Sequence, residues 1–193
     1  MSSSITRRRF HGNALGLTAL AIAALRPGRS ATAQVPAEVR GRFRLATTDG
    51  KVFTEADLLG RPSLVVFGFM SCPDVCPTTL MNLALLMKAL GPKADALRVA
   101  FISVDPERDD PASLGKFVTS FDPRIIGLTG SPEAVRAAVV SYHALAEKIP
   151  QGDSYTMMHS TGLYLADKTG LVRDLLEPTD TTEALVAHIT PWL

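Results

Sequence analysis

Two runs, Ser63 to Met70 (SLVVFGFM) and Leu97 to Val104 (LRVAFISV), constrain this chain most. Both are almost unbroken in apolar residues. A strand that faces water on one side alternates apolar and polar residues, whereas a strand covered on both sides does not. The two runs therefore read as central strands of a sheet with helices on its faces. Between them, Pro77 to Leu90 reads as a helix that Gly91-Pro92 stops.

The remaining elements follow from turn and cap signals. Arg42–Leu45 and Lys51–Phe53 form a hairpin across Thr48-Asp49-Gly50, with Asp-Gly as the turn. Pro111 to Phe121 is helical, Ile125 to Thr129 is a short strand, and Ser131 caps a helix running to about His143. The polar stretch Lys148 to Ser154 reads as a loop. Gly162–Asp167 and Leu171–Glu177 make a second hairpin across Lys168-Thr169-Gly170, and a last helix starts near Thr181 and ends before Pro191. Strands alternating with helices, closed by an antiparallel hairpin and a helix, give an α/β fold with a mixed central sheet, flanking helices and an added N-terminal hairpin. Cysteines placed after a central buried strand and opening a helix make the pattern thioredoxin-like. Ligands in such sheets sit beyond the carboxyl ends of the strands, where Cys72, Cys76 and Asp105 all fall.

Composition narrows the function classes. The chain has 193 residues, 46% hydrophobic and 20% charged, which is ordinary globular usage. A formal net charge of +1 gives no case for nucleic-acid binding. Residues 1–33 hold five arginines and no acid, so residues 34–193 carry 15 basic against 19 acidic residues, or −4. Two cysteines are too few for a disulfide-stapled scaffold or a Cys-rich structural zinc site.

Residues 1–33 are expected to be an export signal, leaving 34–193 as the mature domain. Thr6-Arg7-Arg8-Arg9-Phe10 resembles the twin-arginine pattern, Asn13 to Leu25 is a short apolar core, and Ala31-Thr32-Ala33 fits a cleavage site. A spanning helix needs about 20 apolar residues, which makes a permanent anchor the weaker expectation. The implied compartment is periplasmic and oxidising, so two neighbouring cysteines there need a thiol reductant or a bound metal to remain thiols.

The chemistry centres on Cys72-Pro73-Asp74-Val75-Cys76-Pro77. With Pro77 at the first helical position, Cys76 is expected at the helix N-cap, where free N–H groups and the dipole favour a thiolate. Three residues separate the cysteines, so the sulfurs can converge on a metal or close into a disulfide, and spacing alone does not choose. Thiolates select Cu(I), zinc or iron–sulfur clusters. Two cysteines are too few for a cluster, and a metal needs a further donor. His11 lies in the signal, while His143 and His188 read as ordinary surface or core residues. His159 immediately precedes the strand Gly162–Asp167, and if that strand neighbours the Cys-bearing one, His159 reaches the cysteines. Met157 and Met158 are expected to pack against the core, and Asp74 to serve the turn.

Cys-Pro-Asp-Val-Cys-Pro at 72–77, Ile102 to Asp109 (ISVDPERD) and His159 in a Tyr…His-Ser context, in that order, resemble the SCO/SenC family. These are copper chaperones for assembly of cytochrome c oxidase. The resemblance spans about residues 40–190. It implies a thioredoxin-like fold and copper, as Cu(I) or Cu(II), held by Cys72, Cys76 and His159. It also implies a role in metallating the copper A site of the oxidase subunit, or in reducing its cysteines. The partner is then that copper-accepting subunit or another exported copper protein, and the chain is an assembly factor more than an enzyme. Family members are typically held by an uncleaved N-terminal helix, unlike the export signal expected here. Asp105 and Asp109 fall in the second motif, as groups that orient His159, as an acidic rim for a partner, or as plain turn residues. The alternative function is a thiol–disulfide oxidoreductase in which Cys72 and Cys76 cycle without obligatory metal. A peroxidase is disfavoured, because no Arg stands inside the cysteine motif.

Overall fold

The computed structural model describes residues 38–193, so the expected export segment 1–33 lies outside the described residues. Its strands and helices are β1 (Arg44–Thr47), β2 (Val52–Thr54), β3 (Ser63–Gly68), α1 (Val75–Leu90), β4 (Arg98–Ser103), α2 (Pro111–Thr119), β5 (Ile125–Thr129), α3 (Pro132–Ser141), β6 (Ala146–Gln151), β7 (Ser154–His159), β8 (Leu163–Ala166), β9 (Val172–Leu176) and α4 (Thr182–Ile189). A seven-stranded sheet has the order β2-β1-β5-β4-β3-β8-β9. Its centre is parallel: Leu64 of β3 pairs with Val99 of β4, which pairs with Ile125 of β5. Antiparallel β1 and β8 flank that centre, giving the expected mixed, thioredoxin-like sheet.

Every residue of β3 is buried, as its lack of alternation requires. Leu64 and Phe101 fill one face of these strands and Phe67 and Ile102 the other, and Leu80, Leu83 and Leu86 of α1 are fully buried. Side-chain caps start the other helices. Asp110 accepts from the Ser113 N–H of α2 at 3.0 Å, and Ser131 and Thr181 accept from Ala134 and Ala184 at 3.2 Å.

Three local readings change. First, β3 ends at Gly68 rather than Met70, because the chain then turns: the Cys72 N–H bonds the Phe69 carbonyl. Second, α1 begins at Val75 with Asp74 as its N-cap residue, so Cys76 sits inside the first turn. Pro77 is tolerated there because first-turn N–H groups have no intrahelical partner. Third, the stretch expected to be a loop is the hairpin β6–β7, turning at Gly152 with φ 57°. It pairs only with itself and stands outside the main sheet. With β6 mostly exposed, no hydrophobic alternation marks it as a strand.

Candidate metal centre

Three segments bring the site together. Cys72 lies on the loop leaving β3, Cys76 in the first turn of α1, and His159 closes β7. Because β8 pairs directly with β3, the chain preceding β8 lies over the carboxyl end of the Cys-bearing strand. The two sulfurs and one His159 ring nitrogen lie within 4.8 Å of one another. Both cysteines are free thiols, Cys72 half-buried and Cys76 buried.

Hydrogen bonding sets the donor atoms. His159 Nδ1 lies 2.9 Å from the Ser160 carbonyl, which can only accept, so Nδ1 carries the proton. Nε2 is thereby left with its lone pair, 3.5 Å from Cys76 Sγ. Phe69 meets the imidazole edge-on at 5.7 Å between ring centroids and fixes its plane. Burial holds His159 below the usual imidazole range, which keeps the ring neutral and able to donate to a metal.

The cysteines differ, and in the opposite sense to the N-cap expectation. Burial pushes the Cys76 thiol up to about 12, with the neighbouring Cys72 sulfur and Asp109 adding to the rise. Burial also opposes ionisation of Cys72, but N–H groups of Asp74, Cys76 and Val75 and the Cys76 thiol hold it below the usual thiol range. The Cys76 N–H points at Cys72 Sγ at 3.5 Å. The first turn of α1 thus favours a thiolate at Cys72, because its N–H groups point back at the preceding loop.

Asp105 and Asp109 do not bond His159, and at 1% exposure neither forms an acidic rim. Asp109 Oδ2 accepts from the Met70 N–H at 3.0 Å and from Ser103 Oγ at 2.6 Å. Asp105 pairs with Arg108 and accepts from the Tyr155 hydroxyl at 2.8 Å. Arg108 and Tyr155 are structural members that reading the sequence misses, since nothing in their spacing marks them as partners. Met157 packs on the core, as expected, whereas Met158 is exposed. His188 and Asp174 approach to 3.6 Å, away from the site.

Cys72 and His159 line an open groove of about 280 Å³ with Phe69, Pro73 and Val75, and Cys76 lies buried behind them. A second cleft of similar size, between α3 and the β6–β7 hairpin, holds neither cysteine nor histidine. The donor set suits a soft cation: two sulfurs and one imidazole meet the three-ligand preference of Cu(I), and the Cys72–His159 side opens to solvent. Among the described residues no helix is long and apolar enough to cross a membrane.

Residues 31–193 match the SCO1/SenC family model. The chain is 39% identical over 140 residues to protein SenC of Rhodobacter capsulatus, covering 72% of this chain and 63% of that protein. It is 39% identical over 161 residues to mitochondrial SCO1 of Saccharomyces cerevisiae, covering 79% and 55%. It therefore spans little more than half the length of these curated relatives. Among solved structures, copper-bound ScoI of Bradyrhizobium japonicum superposes with a TM-score of 0.76 at 39% identity, covering 80% of this chain and 99% of that one. BsSco, described as a member of the Sco family of cytochrome c oxidase assembly proteins with a disulfide switch, gives 0.65 at 28% identity over 82% and 95%. With the family model matched across all of the described residues, this protein belongs to the SCO1/SenC family.

Proposed function

We propose that this chain is an exported copper-binding assembly factor that delivers copper to, or reduces the cysteines of, the copper A site of cytochrome c oxidase. The observation that carries the reading is the convergence of Cys72 Sγ, Cys76 Sγ and His159 Nε2 within 4.8 Å. Two thiolates and a neutral imidazole are soft donors for Cu(I), and the same set can take Cu(II). Binding releases the thiol protons. The open groove lets a partner's ligands approach the cargo. Copper-bound relatives with 39% and 35% identity support the metal. The twin-arginine-type segment supports a periplasmic location, with an accepting copper protein as partner.

A second reading has its own support. Cys72 and Cys76 are neighbouring free thiols of unequal acidity. As a reductase, the pair would oxidise to a disulfide, passing two electrons and two protons to a partner disulfide, which becomes two thiols. A thiol reductant would then restore the pair.

The test is titration of the reduced protein under argon with Cu(I) against a competing chelator, then with Cu(II) under optical and spin-resonance detection. One tight equivalent, with thiolate-to-copper charge transfer for Cu(II), lost in His159→Ala, is the expected result. Retained thiol-reductase activity in that variant separates the two roles. Unchanged copper affinity in His159→Ala overturns the ligand assignment.

A further inference from the structure

The hairpin β6–β7 that delivers His159 belongs to no larger sheet. A lone two-stranded hairpin is marginal in water, so its position must come from contacts with the body of the protein. Its base is closed by the Ser160 N–H to the Leu145 carbonyl and by Ser160 Oγ accepting from the Leu145 N–H, at 3.0 and 2.9 Å. Farther out, the contacts concentrate on one residue. Tyr155 donates its hydroxyl to Asp105 at 2.8 Å, accepts at its carbonyl from Arg108 Nη1 at 2.9 Å, and lies with its ring 3.9 Å from the Arg108 guanidinium. Pro150, opposite Tyr155 in the hairpin, has no N–H to offer that carbonyl. Lys148 of β6 pairs with Glu107 at 2.5 Å and covers the same ring at 4.5 Å.

Asp105, Glu107 and Arg108 all sit on the short loop after β4, and the same loop holds the other half of the site. Asp109 grips the Met70 N–H, two residues before Cys72. The loop is itself rigid: Ser103 Oγ donates to Asp109 and accepts from the Asp105 N–H at 3.1 Å. Tyr155, Met157 and His159 share one face of β7, and two strand repeats carry the ring of Tyr155 about 13 Å from His159. Holding Tyr155 and packing Met157 therefore sets the line along which His159 projects.

We propose that Arg108 and Tyr155 are positioning residues: they latch the His159-bearing hairpin to the loop that also holds the Cys72 segment. The latch sets the distance from imidazole to sulfurs. It rests on the copper reading for its consequence, but not for its mechanics. Outer residues that orient a metal ligand typically contribute 10–100-fold to affinity. Neither Arg108 nor Tyr155 touches a sulfur or the imidazole, so their effect must pass through His159.

The experiment compares Arg108→Gln and Tyr155→Ala, in the full chain, with and without His159→Ala. In the metal-free protein, amide hydrogen exchange across β6 and β7 should accelerate at least about tenfold in each variant, while β3 and β4 amides stay protected. Intact protection of β3 and β4 also certifies the fold. Cu(I) affinity against a competing chelator should fall about tenfold in each, with no further fall once His159 is Ala. Unchanged exchange across β7 overturns the latch, as does an affinity loss of full size in the His159→Ala background. If His159→Ala alone leaves Cu(I) affinity unchanged, the copper reading fails, and the exchange measurement still decides the latch.

Discussion

Nε2 of His159 stands 3.5 Å from Sγ of Cys76, across 83 residues of sequence. The contact joins a residue of the first turn of α1 to the last residue of an excursion from the main sheet. Its tautomer follows from a single backbone carbonyl, that of Ser160. The imidazole is thus ready to donate before any metal arrives, while the sulfur it faces still holds its proton. The energetic burden of loading falls on Cys76, whose thiol is pushed up to about 12 by burial.

The inequality of the thiols should appear in alkylation. Cys72 is half-buried and its thiolate is favoured by neighbouring N–H groups, whereas Cys76 is 3% exposed. Iodoacetamide at pH 7 should modify Cys72 at least about tenfold faster than Cys76, read by peptide mass spectrometry over time. Equal rates, or faster reaction at Cys76, would contradict this ordering.

Gly68 leaves room for the site. A Cβ there would come within 2.7 Å of two Phe101 ring atoms and 3.0 Å of Cys76 Sγ. Phe101 is 1% exposed, so its ring can yield only by pushing on packed neighbours. Gly68→Ala should cost about 1–3 kcal/mol in urea unfolding. A midpoint and slope equal to wild type would show that Phe101 can move after all.

Asp109 joins β4 to the cysteine loop through two hydrogen bonds. Asp109→Ala leaves the Met70 N–H and the buried Ser103 hydroxyl without that acceptor. The expected loss is about 1–3 kcal/mol of stability, measured by thermal or urea unfolding of the metal-free protein. A loss below about 0.5 kcal/mol would mean that water replaces the carboxylate at no cost.

Asp167 gives a pH-dependent prediction. At the turn between β8 and β9 it accepts from the Thr169 N–H and hydroxyl and from Arg173, at 2.6–2.7 Å. Burial opposes its charge, yet these donors hold its carboxyl down at about 2, against an ordinary 3.8. The folded state therefore favours the ionised form, and the stabilisation is present above pH 3.8 and lost as pH falls through about 2. Arg173 is partly exposed, so solvent screening reduces the gain to about 1–2 kcal/mol. Asp167→Asn should show that deficit in urea midpoints at pH 7 and a shrinking one at pH 2.5. A deficit that persists undiminished at low pH would place the effect elsewhere.

The sequence on its own determined the sheet's centre and singled out the candidate donors. The runs Ser63 to Met70 and Leu97 to Val104, which hold the strands Ser63–Gly68 and Arg98–Ser103, could be read because burial on both faces removes alternation. Asp49-Gly50, Ser131-Pro132 and the Lys168-Thr169-Gly170 turn mark boundaries through local backbone chemistry, which needs no distant partner. Cys72, Cys76 and His159 stand out because soft-metal chemistry uses few residue types. Tertiary structure alone decided three other things. The β6–β7 hairpin emerged only there, since a ribbon outside the main sheet carries no periodic hydrophobic signal. Which cysteine favours the thiolate depended on a two-residue shift in the start of α1, because N–H groups act over one turn. The roles of Asp105 and Asp109 depended on Tyr155, Arg108 and the Met70 N–H, partners up to 50 residues away in the chain. A carboxylate's function is set by the donors that surround it, and those arrive only when the chain folds.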